Sequence, residues 1–262
     1  MEKIDNQIME NQLYNVSYLQ ETQKLLADMK NDSYTPFLSV HGKIADVGCG
    51  MGGDVINMAT MVDDERVSII GIDASKEMID QANSTKGALK NVEFLIGDAE
   101  KLPFSNAELD GLRAERLLQH LANPAHVFQE FYRVTKDNAP IVIVETDWNS
   151  ISFYNGDYEV IRKLKEYLST TNVKNGGAAT NLIHYLATTG FTDIDIRLFP
   201  LVSRSLAQCM FILRIDHALE TMRDQGHITS KAHEAFLESL RDADNGNRFL
   251  CSINLAVVTA RK

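Results

Sequence analysis

The residues best placed to do chemistry are a glycine-dense turn and a set of acids spaced along the chain. Ile44-Ala45-Asp46-Val47-Gly48-Cys49-Gly50-Met51-Gly52-Gly53-Asp54 begins as a short apolar strand and ends in a turn that feeds a helix near Asp54. Glycines lack a Cβ, so they reach positive φ and let a ligand lie against the main chain. The helix that follows offers unpaired N–H groups at its start. Asp73 closes a second apolar run, residues 67–72. Asp98 follows a third, residues 92–96, between Gly97 and Ala99. A carboxylate at the first of these ends can accept both hydroxyls of a ribose. An acid beside a small residue at the second can read the edge of an adenine ring. His120 has the side chain that titrates nearest neutral pH, and Asp147, close behind Glu145, could accept a proton or hold a cation. The same glycine device also serves nicotinamide-dependent folds, and a bare strand–helix turn would use it too.

These groups need a frame. Apolar runs at 44–47, 67–72, 92–96, 109–113 and 140–145 alternate with helical stretches. Ser75 caps an expected helix at 76–86. Asn123-Pro124 starts another, reaching about residue 135, with Val127, Phe128, Phe131 and Tyr132 on its buried face. Such alternation predicts a doubly wound parallel sheet, which binds ligands at the carboxyl ends of its strands. Gly48, Asp73, Asp98, Arg113 and Thr146 all fall at expected ends. Further strands are expected at 192–199 and 249–260. The stretch between them, 203–247, is too long for a hairpin turn. It predicts two helices, at about 206–222 and 230–243, with Arg214 and His217 as polar contacts. Pro36 closes a helical pattern over residues 1–40.

The segments IADVGCGMGGD, GIDAS, FLIGDAEKLPF and LDGLRAERLLQHL together resemble the class I S-adenosylmethionine-dependent methyltransferases, in particular the small-molecule type called type 11 or UbiE-like. The resemblance covers about residues 40–146. It implies an α/β fold: a doubly wound, Rossmann-like, seven-stranded sheet with N-terminal helices, a helical cap inserted before the last strand, and that strand antiparallel to the fifth. It implies an enzyme that takes S-adenosyl-L-methionine as cofactor, leaves S-adenosyl-L-homocysteine and uses no metal. The cofactor contacts it implies are Tyr18, Asp46, Gly48, Cys49, Gly50, Asp73, Ala74, Met78, Gly97, Asp98, Ala99, Glu100, Arg113, Arg116 and Leu118. Arg113 and Arg116 depart from the small or polar residues common after the fourth strand. A guanidinium there could hold a carboxylate bidentately, or pair with Glu115 or Asp110. The expected organisation is a lid over 1–40, a methyltransferase domain over 41–202 and 248–262, and a cap over 203–247. Tyr14, Trp148, Tyr154, Arg214 and His217 would line the acceptor pocket, and His120 and Asp147 are the catalytic candidates. Methyl transfer is an in-line displacement that rests mainly on alignment and exclusion of water. Two other readings share these motifs: a non-catalytic module that binds the same cofactor, and an NAD-dependent oxidoreductase, which the sequence GDAEKLP opposes.

Composition narrows the partners. The 262-residue chain carries a formal net charge of −10, which argues against a nucleic-acid substrate. No apolar run reaches the roughly 18–20 residues that span a bilayer, and the acidic, polar MEKIDNQIMEN is unlike a secretory signal. Cys49, Cys209 and Cys251 show no paired spacing and read as reduced thiols in a cytoplasmic protein. The seven histidines form no metal-ligand motif. A small-molecule acceptor and a monomer or homodimer are expected.

Overall fold

The computed structural model describes residues 25–62 and 64–262; Tyr14 and Tyr18 lie outside them. A short helix α1 (Ala27–Tyr34) and a 3-10 turn (Thr35–Phe37) precede the sheet. The chain then runs through β1 (Gly42–Val47), α2 (Gly53–Val62), β2 (Val67–Asp73), α3 (Lys76–Thr85), β3 (Val92–Ile96) and β4 (Gly111–Glu115). It continues with α4 (Pro124–Val134), β5 (Pro140–Phe153), α5 (Tyr158–Tyr167), α6 (Ala178–Thr189) and β6 (Thr192–Ser203). Three helices follow, α7 (Leu206–Leu213), α8 (Ile215–Asp224) and α9 (Ser230–Asn245), and the sheet closes with β7 (Cys251–Arg261). The seven strands are ordered β3-β2-β1-β4-β5-β7-β6, and β7 is antiparallel to both neighbours. The expected doubly wound α/β sheet is therefore present, with its last strand inserted beside the fifth.

Alternation along the strands makes two apolar layers. Ala45, Val47, Leu112, Ala114, Ile141 and Ile143 face α4 and α6. Ile44, Ile69, Val142, Val144 and Val257 face α1, α2 and α3. In the middle of the second layer the pattern breaks: Asp46 of β1 and Arg113 of β4 occupy paired register positions. A third apolar cluster joins the end of β5 and the start of β7 to α5, α7, α8 and α9.

Several local expectations change. The fourth strand runs to Glu115, so Arg113 lies inside it rather than at its end. β5 does not stop near Thr146; it continues to Phe153 and pairs with β7 on both sides of an irregularity between Asp147 and Ser152. The first cap helix is two, because Arg214 adopts φ 52° and breaks it. Asn123 precedes Pro124 at the start of α4, but its side chain makes no capping bond. Ser75 does cap α3, its hydroxyl accepting from the Met78 amide at 3.3 Å, and Gly190 ends α6 at φ 110°.

Gly71 sets the fit between β2 and its neighbours. A Cβ there would stand 2.6 Å from the Phe94 ring and 2.9 Å from the Cys49 sulfur. Gly71→Ala should therefore overpack the core and destabilise by about 1–3 kcal/mol. Urea unfolding checks this, and Phe94→Leu in the same background should recover part of the loss.

Candidate active site

β1 and β4 are neighbours, yet the chain leaves β1 toward β2 on one side and β4 toward β5 on the other. The crevice outside their carboxyl ends is the switch point of the sheet, where α/β folds hold ligands. The glycine turn forms one wall. The Gly48 and Cys49 amides both donate to the Ile72 carbonyl, at 2.7 and 3.0 Å. Gly50 has φ 52°, and a Cβ on it would meet nothing within 4 Å, so its main chain faces open space. Gly52 differs: a Cβ there would stand 2.3 Å from Phe94, which makes it a packing glycine.

The half-buried carboxylate of Asp73 is clamped at this wall. Oδ2 accepts from the Gly50 amide at 2.8 Å, and Oδ1 accepts from the Ser75 amide at 2.9 Å. Each oxygen keeps a second lone pair for a diol. Asp98 is exposed, with Oδ1 accepting from the Glu100 amide at 2.9 Å, and Ala99 is buried beside it. Met78 is half-buried, Ala74 exposed, and Gly97 and Glu100 partly covered. An open glycine cradle, a carboxylate with spare lone pairs and an acid next to a buried alanine fit an adenosine-bearing ligand.

The crevice floor is ionic. Arg113 is 0% exposed and its Nη1 donates to Asp46 Oδ1 at 2.9 Å. Its other terminal nitrogen pairs with Glu115, its Nε donates to the Ser33 hydroxyl at 3.3 Å, and the guanidinium lies 5.1 Å from the Tyr34 ring centre. Lys30, 4% exposed, donates to Asp54 and to Glu115, each at 2.8 Å. The Tyr34 hydroxyl donates to Asp54. Burial alone would raise Asp54 and Glu115, but Lys30 and Arg113 hold the Asp54 carboxyl well below its usual range, and Lys30 foremost lowers Glu115. Burial pushes the Asp46 carboxyl up, against the pull of Arg113. Arg113 and Asp46 are thus directed into the floor and away from the open space above Gly50. Lys30, Ser33 and Tyr34 were missed from sequence. Their signal was there: on α1 they share one buried face with Leu26 and Met29, a polar stripe where apolar residues belong.

The opposite wall is the turn after β4. Arg116 takes φ 50°, its amide donates to the Val144 carbonyl at 2.7 Å, and its Nε lies 3.3 Å from Glu115. The Leu118–His120 turn follows. Glu145 is fully buried beneath it, accepting from the Leu118 amide through Oε1, while Oε2 has no hydrogen-bond partner among the described residues. Trp148 Nε1 donates to Gln119 Oε1 at 2.7 Å. An indole N–H can only donate, so this bond fixes the Gln119 amide and turns its Nε2 to His120 Nε2, 3.2 Å away. His120 then accepts at Nε2 and carries its proton on Nδ1. Burial, with Arg116 and Lys174 nearby, pushes His120 down to about 4.

Residues 38–191 match the family described as methyltransferase domain. The chain belongs to that family. A protein of transposon Tn4556 from Streptomyces fradiae is 30% identical over 82% of this chain and 61% of its own length. The demethylmenaquinone methyltransferase of Lactococcus lactis is 30% identical over 46% of this chain and 48% of its own. The chain thus spans half to three-fifths of the length of these two relatives. Among solved structures, the YcgJ protein of Bacillus subtilis has the same fold, with a TM-score of 0.60, 18% identity and coverage of 88% of this chain and 98% of that one.

The remaining expected residues divide. In this methyltransferase the Leu118 side chain is in the core, and the Cys49 thiol is turned inward, its ionisation opposed by burial and by Asp46. Both can meet a ligand only through their main chain. Asp147 is half-buried, with Oδ1 accepting from the Asn149 amide at 3.1 Å, and no hydrogen bond joins it to His120. Trp148 packs in the cluster formed with α7, α8 and α9. Arg214 sits half-buried at the break between α7 and α8, whereas His217 is exposed and Tyr154 is 64% exposed. Tyr154 and His217 therefore stand outside the enclosed wall that Trp148 forms with Gln119. Among the described residues, no helix is long and apolar enough to cross a membrane.

Glu145 gives the site a pH signature. Burial pushes its carboxyl up to about 8 from an ordinary 4.5, against the Leu118 amide and Arg116. The folded value exceeds the unfolded one, so the bound proton stabilises the fold. That contribution is complete below pH 4.5 and is lost as pH rises through about 8. The linkage is at most about 5 kcal/mol. Glu145→Gln keeps an acceptor for Leu118 and has no proton to lose. Its unfolding free energy should gain steadily on the wild type between about pH 5 and pH 8.5. Parallel pH profiles of urea unfolding would show instead that Glu145 is ionised in the fold.

Proposed function

We propose that this methyltransferase moves a methyl group from S-adenosylmethionine to a small organic acceptor enclosed beneath helices α7–α9. The observation that carries this is the open main chain at Gly50 with Asp73 clamped beside it, at the switch point of the sheet. When bound, S-adenosylmethionine supplies the methyl group on a positively charged sulfur. The chain's own residues hold and align. Asp73 accepts the ribose hydroxyls with its spare lone pairs, Asp98 and Ala99 meet the adenine, and Met78 packs against it. The Trp148–Gln119 pair walls the acceptor side and keeps water out. His120, neutral and a weak base, orients the acceptor through hydrogen bonds. Asp147 takes the proton where the acceptor has one to lose. Catalysis therefore rests mainly on positioning.

The organisation supports an enclosed acceptor. The cap over 203–247 packs on the extension of β5 that projects past the strand ends, with Phe236 and Phe153 ring centres 6.2 Å apart. The name of the Lactococcus relative supports a small acceptor as well. Net charge −10 speaks against nucleic acid, and buried free thiols suit a cytoplasmic monomer or homodimer.

Calorimetry is the test. S-adenosylmethionine and S-adenosylhomocysteine should bind and NAD should give no heat; tight NAD binding with neither sulfur compound bound would overturn the reading. Asp73→Ala should weaken S-adenosylhomocysteine by about 2–3 kcal/mol, since it removes a charge-assisted acceptor and frees the Gly50 amide. An unchanged dissociation constant would place the ribose elsewhere. Transfer of labelled methyl to a panel of phenols, quinols and amines then identifies the acceptor.

A further inference from the structure

We propose that Lys30 and Tyr34 of α1 are positioning residues of the cofactor site, acting through Asp54 and Glu115; this rests on the methyltransferase reading above. Both lie before residue 38, where the match to the family begins. The two acids they hold belong to the two walls of the crevice. Asp54 is the second residue of α2, directly behind the glycine turn. Glu115 ends β4, directly before Arg116 and the Leu118–His120 turn. One ammonium lies 2.8 Å from each carboxylate and so ties wall to wall below the open space at Gly50. Tyr34 adds a hydroxyl to Asp54 alone.

Asp46, Asp54 and Glu115 are balanced by Lys30, Arg113 and Arg116. Without Lys30, Arg113 and Arg116 face three buried or nearly buried carboxylates. A buried charge left without its partner must take a proton or move toward water. Asp54 and Glu115 are then bridged by Arg113 alone, whose Nη1 lies 3.6 Å from Asp54, so the tie between the two walls loosens. The lysine thus does more than fasten α1: it sets the width of the crevice that receives the cofactor.

The test measures S-adenosylhomocysteine binding by calorimetry alongside thermal unfolding. Lys30→Met should raise the dissociation constant about tenfold at pH 7.5, and Lys30→Arg should return it to within about threefold of the wild type, because a guanidinium can still bridge two carboxylates. A purely structural lysine would lower the thermal midpoint and leave affinity alone. The pH dependence separates the two further. In Lys30→Met a proton can replace the lost ammonium, so the ratio of variant to wild-type dissociation constants should shrink as pH falls from 8.5 to 6. Using the ratio removes the titration of Glu145, which both proteins share. Should Lys30→Met fail to fold, Tyr34→Phe removes a hydroxyl that holds Asp54 in the same network and should raise the constant two- to fivefold. Unchanged affinity in whichever variants fold, with the wild type binding normally, overturns this inference and spares the methyltransferase reading. A wild type that binds no S-adenosylhomocysteine overturns both.

Discussion

The structure depends on one ion pair placed where a sheet expects apolar side chains. Asp46 and Arg113 face each other across β1 and β4, at the centre of the layer under α1 and α2. A desolvated pair of this kind contributes little net stability, but leaving either member alone is expensive. Everything around it follows from that asymmetry. The guanidinium has donors left over, which Glu115 and Ser33 accept. Glu115 in turn needs more than a shared cation, which Lys30 supplies, and Lys30 has reach for Asp54. The network fixes α1 against the sheet through charge and geometry, whereas apolar packing alone would tolerate a rotated helix.

The two walls of the crevice are built on different principles. On the glycine-turn side the main chain forms the wall: glycines, amides and one clamped aspartate. On the side of the turn after β4 a side-chain relay forms it, from buried Glu145 through the Leu118 amide to Gln119, Trp148 and His120. The loop after α5 is sewn to the same turn, the Asn175 amide donating to the Gln119 carbonyl at 3.0 Å. Two stretches far from it in the chain, β5 and the loop after α5, thus converge on the three-residue turn that carries His120.

Much of this was legible in the sequence, for definable reasons. The glycine turn and the aspartates at 73 and 98 could be placed because strand ends are marked by composition, and Ile141–Val144 is too uniformly apolar to be anything but a central strand. Register was harder. Leu109 to Arg113 reads as a strand by hydrophobicity, but pairing starts at Gly111 and ends at Glu115, and that two-residue difference moves Arg113 from a ligand-facing end into the core. Lys30 was hidden because a lysine is normally a surface residue, and only its partners, 24 and 85 positions away, make its burial tolerable. The break at Arg214 was hidden because a left-handed arginine has no local signature.

The Trp148–Gln119 bond has an optical consequence. Trp148 is the only tryptophan in the chain, and it is wedged between the capping helices and the turn that carries His120. Nearly all long-wavelength fluorescence of the protein therefore comes from one ring at the seam between the capping helices and that turn. Its emission is blue while the seam is dry and the indole N–H is engaged. Any motion that parts the seam wets the ring and shifts the whole spectrum to the red. The protein carries its own dye, already installed at that seam.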